Sequence, residues 1–101
     1  MAVIDITKEN FKEQVRDSKK PVLLDFYANW CGPCRMVAPI VEQIAEERPD
    51  YLVGRVNVDE EEELARAFEI TSIPALIVVK DGIITAAKIG AAPKSEILSI
   101  L

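Results

Sequence analysis

Trp30-Cys31-Gly32-Pro33-Cys34 is the most informative segment of the sequence, because it holds both cysteines and the only tryptophan among 101 residues. A structural zinc site usually needs four thiolate or imidazole ligands, and the chain has no histidine and no third cysteine. A disulfide across so short a loop stabilises a fold little, since the effect grows with the length of loop closed. A redox-active dithiol is the interpretation that remains, as for a Cys-x-x-Cys pair near a βαβ pattern.

The segments on both sides place Cys31 at the start of a helix. Val22–Tyr27 is an apolar run typical of a strand, and the residues from Cys34 onward carry apolar side chains at helical spacing. The free N–H groups and the dipole at a helix N-terminus favour an anion, and the nucleophilic form of cysteine is the thiolate. Gly32 and Pro33 suit this position, because glycine imposes little steric demand and proline fits the first helical turn.

The composition predicts one globular domain, residues 1–101. Half of the residues are hydrophobic, 29% are charged and the net charge is −5. The acidic balance argues against a nucleic-acid or anionic-membrane partner. Residues 1–5 lack the basic region of a signal peptide, and no apolar run is long enough to span a membrane. We therefore expect a cytoplasmic monomer, in keeping with a single cysteine pair.

The hydrophobic pattern along the chain predicts the order β-α-β-α-β-α-β-β-α. Strands are expected at residues 2–6, 22–27, 51–58, 75–80 and 83–89. Their alternation with helices predicts parallel pairing in the centre of a sheet, and Asp81 with Gly82 is a strong hairpin signal. Thr7 is expected to cap the first helix, and Asp59 the third.

Residues 26–36 resemble the active-site segment of the thioredoxin family. Further matching residues follow the family order along essentially the whole chain: Asp25, Pro39, Asp59, Ile73, Pro74, Gly82 and Gly90. The resemblance implies an α/β thioredoxin fold, with a five-stranded mixed sheet and two helices on each face. It also implies a protein-disulfide reductase that needs no metal and no cofactor beyond its cysteine pair. The expected partners are disulfide-containing proteins and a thioredoxin reductase or equivalent electron donor.

The same resemblance assigns the chemistry to three residues. Cys31 would be the exposed attacking nucleophile, and Cys34 would resolve the mixed disulfide. Asp25 is costly in an apolar central strand, and burial should raise its pKa. In the family the matching acid accepts the proton of the second cysteine. Arg55 stands near this acid, where thioredoxins often carry a lysine.

A second group of residues would contact the substrate. Ile73 and Pro74 match the family's cis-proline loop, which presents backbone groups to an extended substrate. The sequence leaves the isomer open, because most X-Pro bonds are trans. The expected contact surface comprises Trp30, Ile73, Pro74, Ala75, Gly90 and Ala91. Tyr27, Asn29 and Arg35 differ from the commoner family residues, a difference that concerns partner preference rather than the reaction.

Three functions stay open on the sequence: a general disulfide reductase, a disulfide isomerase or oxidant, and a non-catalytic binding module. Gly32 and Pro33 offer the cysteine pair no charge and no side-chain donor, which tunes it toward a reductase. A fold alone does not fix function. Retention of both cysteines together with Asp25 and Pro74 disfavours a binding module.

Overall fold

The structure, a computed structural model, describes residues 2–101, and its central element is a five-stranded mixed sheet. The strands are β1 (Val3–Asp5), β2 (Val22–Tyr27), β3 (Leu52–Asn57), β4 (Ala75–Lys80) and β5 (Ile83–Ile89). The helices are a π-helical turn (Lys12–Arg16), α1 (Gly32–Glu47), α2 (Glu62–Ala67) and α3 (Lys94–Leu98). The predicted fold class and order of elements are confirmed, with a π-helical turn as the first of the four helices.

The strand order in the sheet is β1-β3-β2-β4-β5. Strands β1, β3 and β2 are parallel, whereas β4 and β5 run antiparallel to their neighbours. The turn between β4 and β5 is the predicted hairpin. Asp81 and Gly82 adopt φ angles of +53° and +76°, and a type I′ two-residue turn requires positive φ at both central positions.

The first helix begins later than the sequence pattern predicts, and Thr7 does not cap it. The residue flanking its start is Phe11, with no side-chain cap. The side chain of Asn10 instead closes the preceding turn. Its Oδ1 accepts the N–H of Thr7 at 2.8 Å, and its Nδ2 donates to the carbonyl of Asp5 at 2.9 Å. The helix is of π type because the N–H of Asp17 donates to the carbonyl of Lys12, five residues back.

The sheet separates two apolar cores, and this separation decides where Asp25 points. Successive side chains of a strand lie on opposite faces. Leu24 and Phe26 of β2 pack on the face that also contains Val15 of the π-helical turn. Leu23 packs on the opposite face, where α1 and α3 contribute the buried side chains Val37, Val41, Ile44 and Ile97. Asp25 shares the face of Leu23 and therefore lies beneath α1, the helix that begins at the cysteine pair.

Candidate active site

Cys31 and Cys34 form a disulfide at the start of α1, with their Cα atoms 5.3 Å apart. Cys31 is the residue immediately before the helix, and Pro33 lies in its first turn. The Sγ atom of Cys31 accepts the backbone N–H of Cys34 at 3.2 Å. N–H groups in the first turn have no acceptor within the helix, so this sulfur acts as the cap. The predicted position of Cys31 at the helix start is confirmed.

The two cysteines are equally buried, with 4% of each residue exposed. Both pack with Ala28, and Tyr27 and Ile73 lie against the same cluster. The disulfide form therefore does not show the greater exposure of Cys31 that the family resemblance implied. What distinguishes the two sulfurs is position, because Cys31 caps the helix and Cys34 lies within it.

We expect Cys31 to react with iodoacetamide roughly fivefold faster than Cys34 in the reduced protein, because an anion capping a helix start gains about 1 kcal/mol. Brief alkylation followed by mass mapping of the labelled peptides measures the ratio. Protein unfolded in guanidinium is the control, and there the two rates should become similar. Equal labelling in the folded protein, or faster labelling of Cys34, would contradict the assignment.

Asp25 lies in β2 and is 3% exposed. Its Oδ1 atom has no hydrogen-bond partner within the described residues. Burial raises the pKa of this carboxyl from 3.8 to about 6, and the positive charge of Arg55 opposes part of that rise. A carboxyl with such a pKa exchanges its proton near neutral pH, which suits a proton acceptor.

Arg55 is the cation closest in register to Asp25, and its Nε atom is buried without a hydrogen-bond partner within the described residues. It pairs across the sheet with Asp25 of β2 on one side and with Asp5 of β1 on the other. Its Nε atom lies 3.9 Å from Oδ1 of Asp5. Its guanidinium carbon lies 4.2 Å from the ring centroid of Tyr27, a cation–π contact. Tyr27, one of the departures from the family pattern, therefore positions the charge that acts on Asp25.

Asp25 and Cys34 line the same cavity, which has a volume of ≈ 110 Å³. It is large enough to hold water, and Asp25 and Arg55 supply polar partners for it. The cavity therefore has room for water between Cys34 and the carboxyl of Asp25. Its lining consists of Asp25, Tyr27, Ala28, Asn29, Cys34, Arg35, Ala38 and Arg55.

The structure brings most of the predicted contact residues together around the peptide bond between Ile73 and Pro74, which is cis. The carbonyl of Pro74 accepts the N–H of Gly90 at 2.8 Å, which ties the loop containing Gly90 and Ala91 to the proline. Neither backbone polar group of Ile73 has a backbone partner in residues 2–101. Ala75 departs from the predicted group, because it is 0% exposed and packs in the core, where its side chain cannot meet a substrate.

Trp30 is held by a contact that the sequence did not predict. It is 68% exposed, and its Nε1 atom donates to Oδ2 of Asp59 at 2.8 Å. Asp59 does not cap α2 as predicted, since the residue flanking that helix is Glu61, without a side-chain cap. The Oδ1 atom of Asn57 accepts the N–H groups of Asp59 and Glu60 at 2.9 and 3.3 Å. Asn57 two residues before Asp59 is an Asx-turn pattern, and it could have been recognised in the sequence.

No helix within residues 2–101 is long and apolar enough to cross a membrane. Likewise, no three or more acidic, histidine or cysteine side chains in this range are grouped so as to hold a metal ion.

A disulfide at a helix start, above a buried carboxyl and beside a cis-proline loop, defines a class of protein. The chain is a thiol–disulfide oxidoreductase built on a five-stranded mixed sheet. It belongs to the thioredoxin family, whose model matches residues 2–101.

Curated relatives agree with this assignment. The thioredoxin of Mycobacterium tuberculosis H37Rv is 48% identical over 98 residues, which is 96% of this chain and 84% of the relative. Thioredoxin 1 of Synechococcus elongatus is 45% identical over 97 residues, covering 95% of this chain and 91% of the relative. Putative thioredoxin 2 of Streptomyces coelicolor is 40% identical over 100 residues, covering 99% of this chain and 74% of the relative.

Proposed function

We propose that this chain is a protein-disulfide reductase that acts through Cys31 and Cys34. The observation that carries the proposal is the disulfide at the start of α1, in which the Sγ atom of Cys31 accepts the N–H of Cys34. After reduction, the same N–H and the helix dipole would stabilise a thiolate on Cys31. A thiolate at a helix start is the attacking group that thiol–disulfide exchange requires.

The reaction would proceed in two exchanges. The thiolate of Cys31 attacks one sulfur of the substrate disulfide, forms a mixed disulfide and releases the other substrate sulfur as a thiolate. The thiolate of Cys34 then attacks the Sγ atom of Cys31 and releases the second substrate sulfur. The cysteine pair ends as a disulfide, and the substrate has gained two electrons, with its two thiolates taking up protons.

Asp25 would accept the proton that Cys34 loses before the second exchange. The cavity between the two residues supports this role, because water within it can carry the proton. With a pKa of about 6, the carboxyl is ionised and able to accept a proton at neutral pH. Arg55 would act through Asp25, since its charge limits the rise of that pKa.

Substrates would bind as an extended segment along the cis-proline loop. The unpaired backbone groups of Ile73 support this mode, in which a peptide adds as a short strand. Trp30, Pro74, Gly90 and Ala91 would supply the surrounding contacts.

We further propose that residues 1–101 work as a single-domain cytoplasmic monomer. A thioredoxin reductase or an equivalent donor would reduce the disulfide again after each turnover, and no additional cofactor would take part. Disulfide-containing proteins would be the substrates.

Insulin reduction tests the proposed function. With dithiothreitol as electron donor, the protein should accelerate the precipitation of insulin B chain, and Cys31→Ser should remove the acceleration. With NADPH and a thioredoxin reductase, the protein should sustain steady NADPH oxidation that depends on insulin. Folded protein that leaves insulin intact under both conditions would overturn the reductase assignment and favour a binding module.

A further inference from the structure

An apolar groove lies beside the cysteine pair and has a volume of ≈ 180 Å³. We call it the Trp30 groove. Trp30 and Ile73, both part of the proposed contact surface, belong to its lining, and Ile73 packs against the buried cysteines. A substrate segment that places its disulfide at Cys31 would therefore run through or past this groove. The lining consists of Trp30, Val58, Ile70, Thr71, Ser72 and Ile73.

One side of the Trp30 groove continues into an acidic surface. Residues 59–63, here called the acidic wall, are one aspartate followed by four glutamates. The hydrogen bond from Trp30 to Asp59 joins the wall directly to the groove. The wall lines a depression of ≈ 370 Å³, in which Lys8 and Arg66 are the basic lining residues. Five acids and two bases leave this surface with a net charge of −3.

Much of this negative charge is available to a partner. Lys8 is already engaged, since its Nζ atom pairs with Glu63 at 2.9 Å and its N–H donates to Glu61 at 2.9 Å. Glu60 and Glu62 are exposed, and neither side chain has a hydrogen bond or ion pair within the described residues.

The negative charge of the acidic wall is not matched at a second depression near the cysteine pair. A second apolar depression, of ≈ 310 Å³, lies between α1 and the loop that follows β5, and its lining contains no charged residue. That lining consists of Met36, Val37, Ile40, Ala91, Ala92 and Pro93. A substrate lying across Cys31 would meet negative charge at the Trp30 groove and apolar surface at this second depression.

We propose that the Trp30 groove and the acidic wall together select protein disulfides whose cysteine lies within a few residues of a lysine or arginine. The proposal rests on the reductase function proposed above and names its preferred substrate class. An extended segment advances about 3.3 Å per residue, so a cation two to four positions from the cysteine lies roughly 7–13 Å along it. Trp30 is the residue next to Cys31 and bonds directly to Asp59, so the acidic wall begins one side chain away from the cysteine. Acidic segments would be repelled by the same surface, and complementary charge raises the rate of encounter.

Two synthetic peptides with one internal disulfide and the same length test the proposal. One carries two lysines, and the other two glutamates, at the second and third positions from the attacked cysteine. The kcat/KM for each is measured at low salt and at high salt. Each kcat/KM is divided by the rate constant for reduction of the same peptide by dithiothreitol without the protein. This division is needed because a neighbouring lysine also makes a disulfide intrinsically more reactive. We expect a normalised preference of about tenfold for the lysine peptide at low salt, falling severalfold at high salt.

Matched charge variants locate the source of the preference. Glu60→Gln with Glu62→Gln should reduce the preference to about threefold or less, since each exposed pair contributes modestly. Glu42→Gln with Glu46→Gln changes the net charge equally on the exposed side of α1, more than two helical turns from Cys31. That control should keep the full preference.

The outcomes separate this inference from the function on which it rests. Equal normalised rates for the two peptides, or a preference that survives Glu60→Gln with Glu62→Gln, would overturn the charge selection and leave the reductase intact. Failure to reduce either peptide, together with failure to reduce insulin, would overturn both.

Discussion

Cys34→Ser should abolish multiple turnover while leaving the first exchange intact. Cys31 keeps its place at the start of α1 and can still attack a substrate disulfide. Serine supplies no thiolate to release the product, so mixed disulfides between Cys31 and the substrate should accumulate. We expect insulin reduction to fall by on the order of 100-fold or more, because the two cysteines act as a unit. The Sγ atom of Cys31 accepts the backbone N–H of residue 34, and serine at that position has the same N–H. The variant can therefore keep this cap.

Trapping from a cell lysate measures the effect. The immobilised Cys34→Ser variant is incubated with lysate and washed, and bound proteins are eluted with dithiothreitol. Cys31→Ser is the matched control, since it also keeps one cysteine. Recovery from Cys34→Ser that does not exceed recovery from this control would count against a two-step exchange started by Cys31.

Asp25→Asn should stabilise the protein at alkaline pH. The folded-state pKa of about 6 lies above the ordinary 3.8, so the folded protein holds this proton more tightly than the unfolded chain does. The stability of the parent therefore falls as pH rises from about 4 through 6 and stays lower above that. A shift of about two pKa units corresponds to roughly 3 kcal/mol, and the asparagine variant does not undergo this loss.

Urea denaturation at about pH 3.5 and pH 8 tests the sign. The free energy of unfolding of the variant minus that of the parent should increase by up to ~3 kcal/mol between the two pH values. The titrations of other groups are common to both proteins and cancel in this difference. A variant less stable than the parent at pH 8 would show that the ionised carboxylate is not costly in the fold.

The same substitution should slow catalysis. Substrate reduction by Asp25→Asn at neutral pH should be roughly tenfold slower or more, because positioned proton acceptors contribute at least this much. The parent should lose activity as pH falls through about 6, where Asp25 takes up a proton, and the variant should lack this step. An unchanged rate and pH profile would remove Asp25 from the mechanism, whatever its effect on stability.

Several features of the fold and site could be predicted from the sequence because each rests on local chemistry. The apolar run of β2 is interrupted by a single acid, Asp25, and burial of that strand follows from its composition alone. The residues before Cys31 form a continuous apolar run typical of a strand, and those after it have apolar side chains at helical spacing. The place of Cys31 at a helix start follows from this change of pattern. Asp81 and Gly82 form the predicted hairpin because few residue pairs tolerate the two positive φ angles.

The remaining features depend on contacts between distant parts of the chain. Tyr27 meets Arg55 across neighbouring strands, and Trp30 bonds to a residue 29 positions away. The cis state of Ile73-Pro74 also needs tertiary context, because the intrinsic preference between isomers is only about 0.5–1 kcal/mol.

By itself, the sequence determined the order of strands and helices, the redox-active cysteine pair and the buried acid. These follow from the spacing of apolar residues and from the residues of turns, which are patterns only a few residues long. The tertiary structure alone decided which groups lie around that pair. It stacked Arg55 on Tyr27 beside Asp25, buried Cys31 as deeply as Cys34, and joined Trp30 to Asp59. These arrangements arise from strand register and side-chain packing, which depend on the whole sheet being assembled.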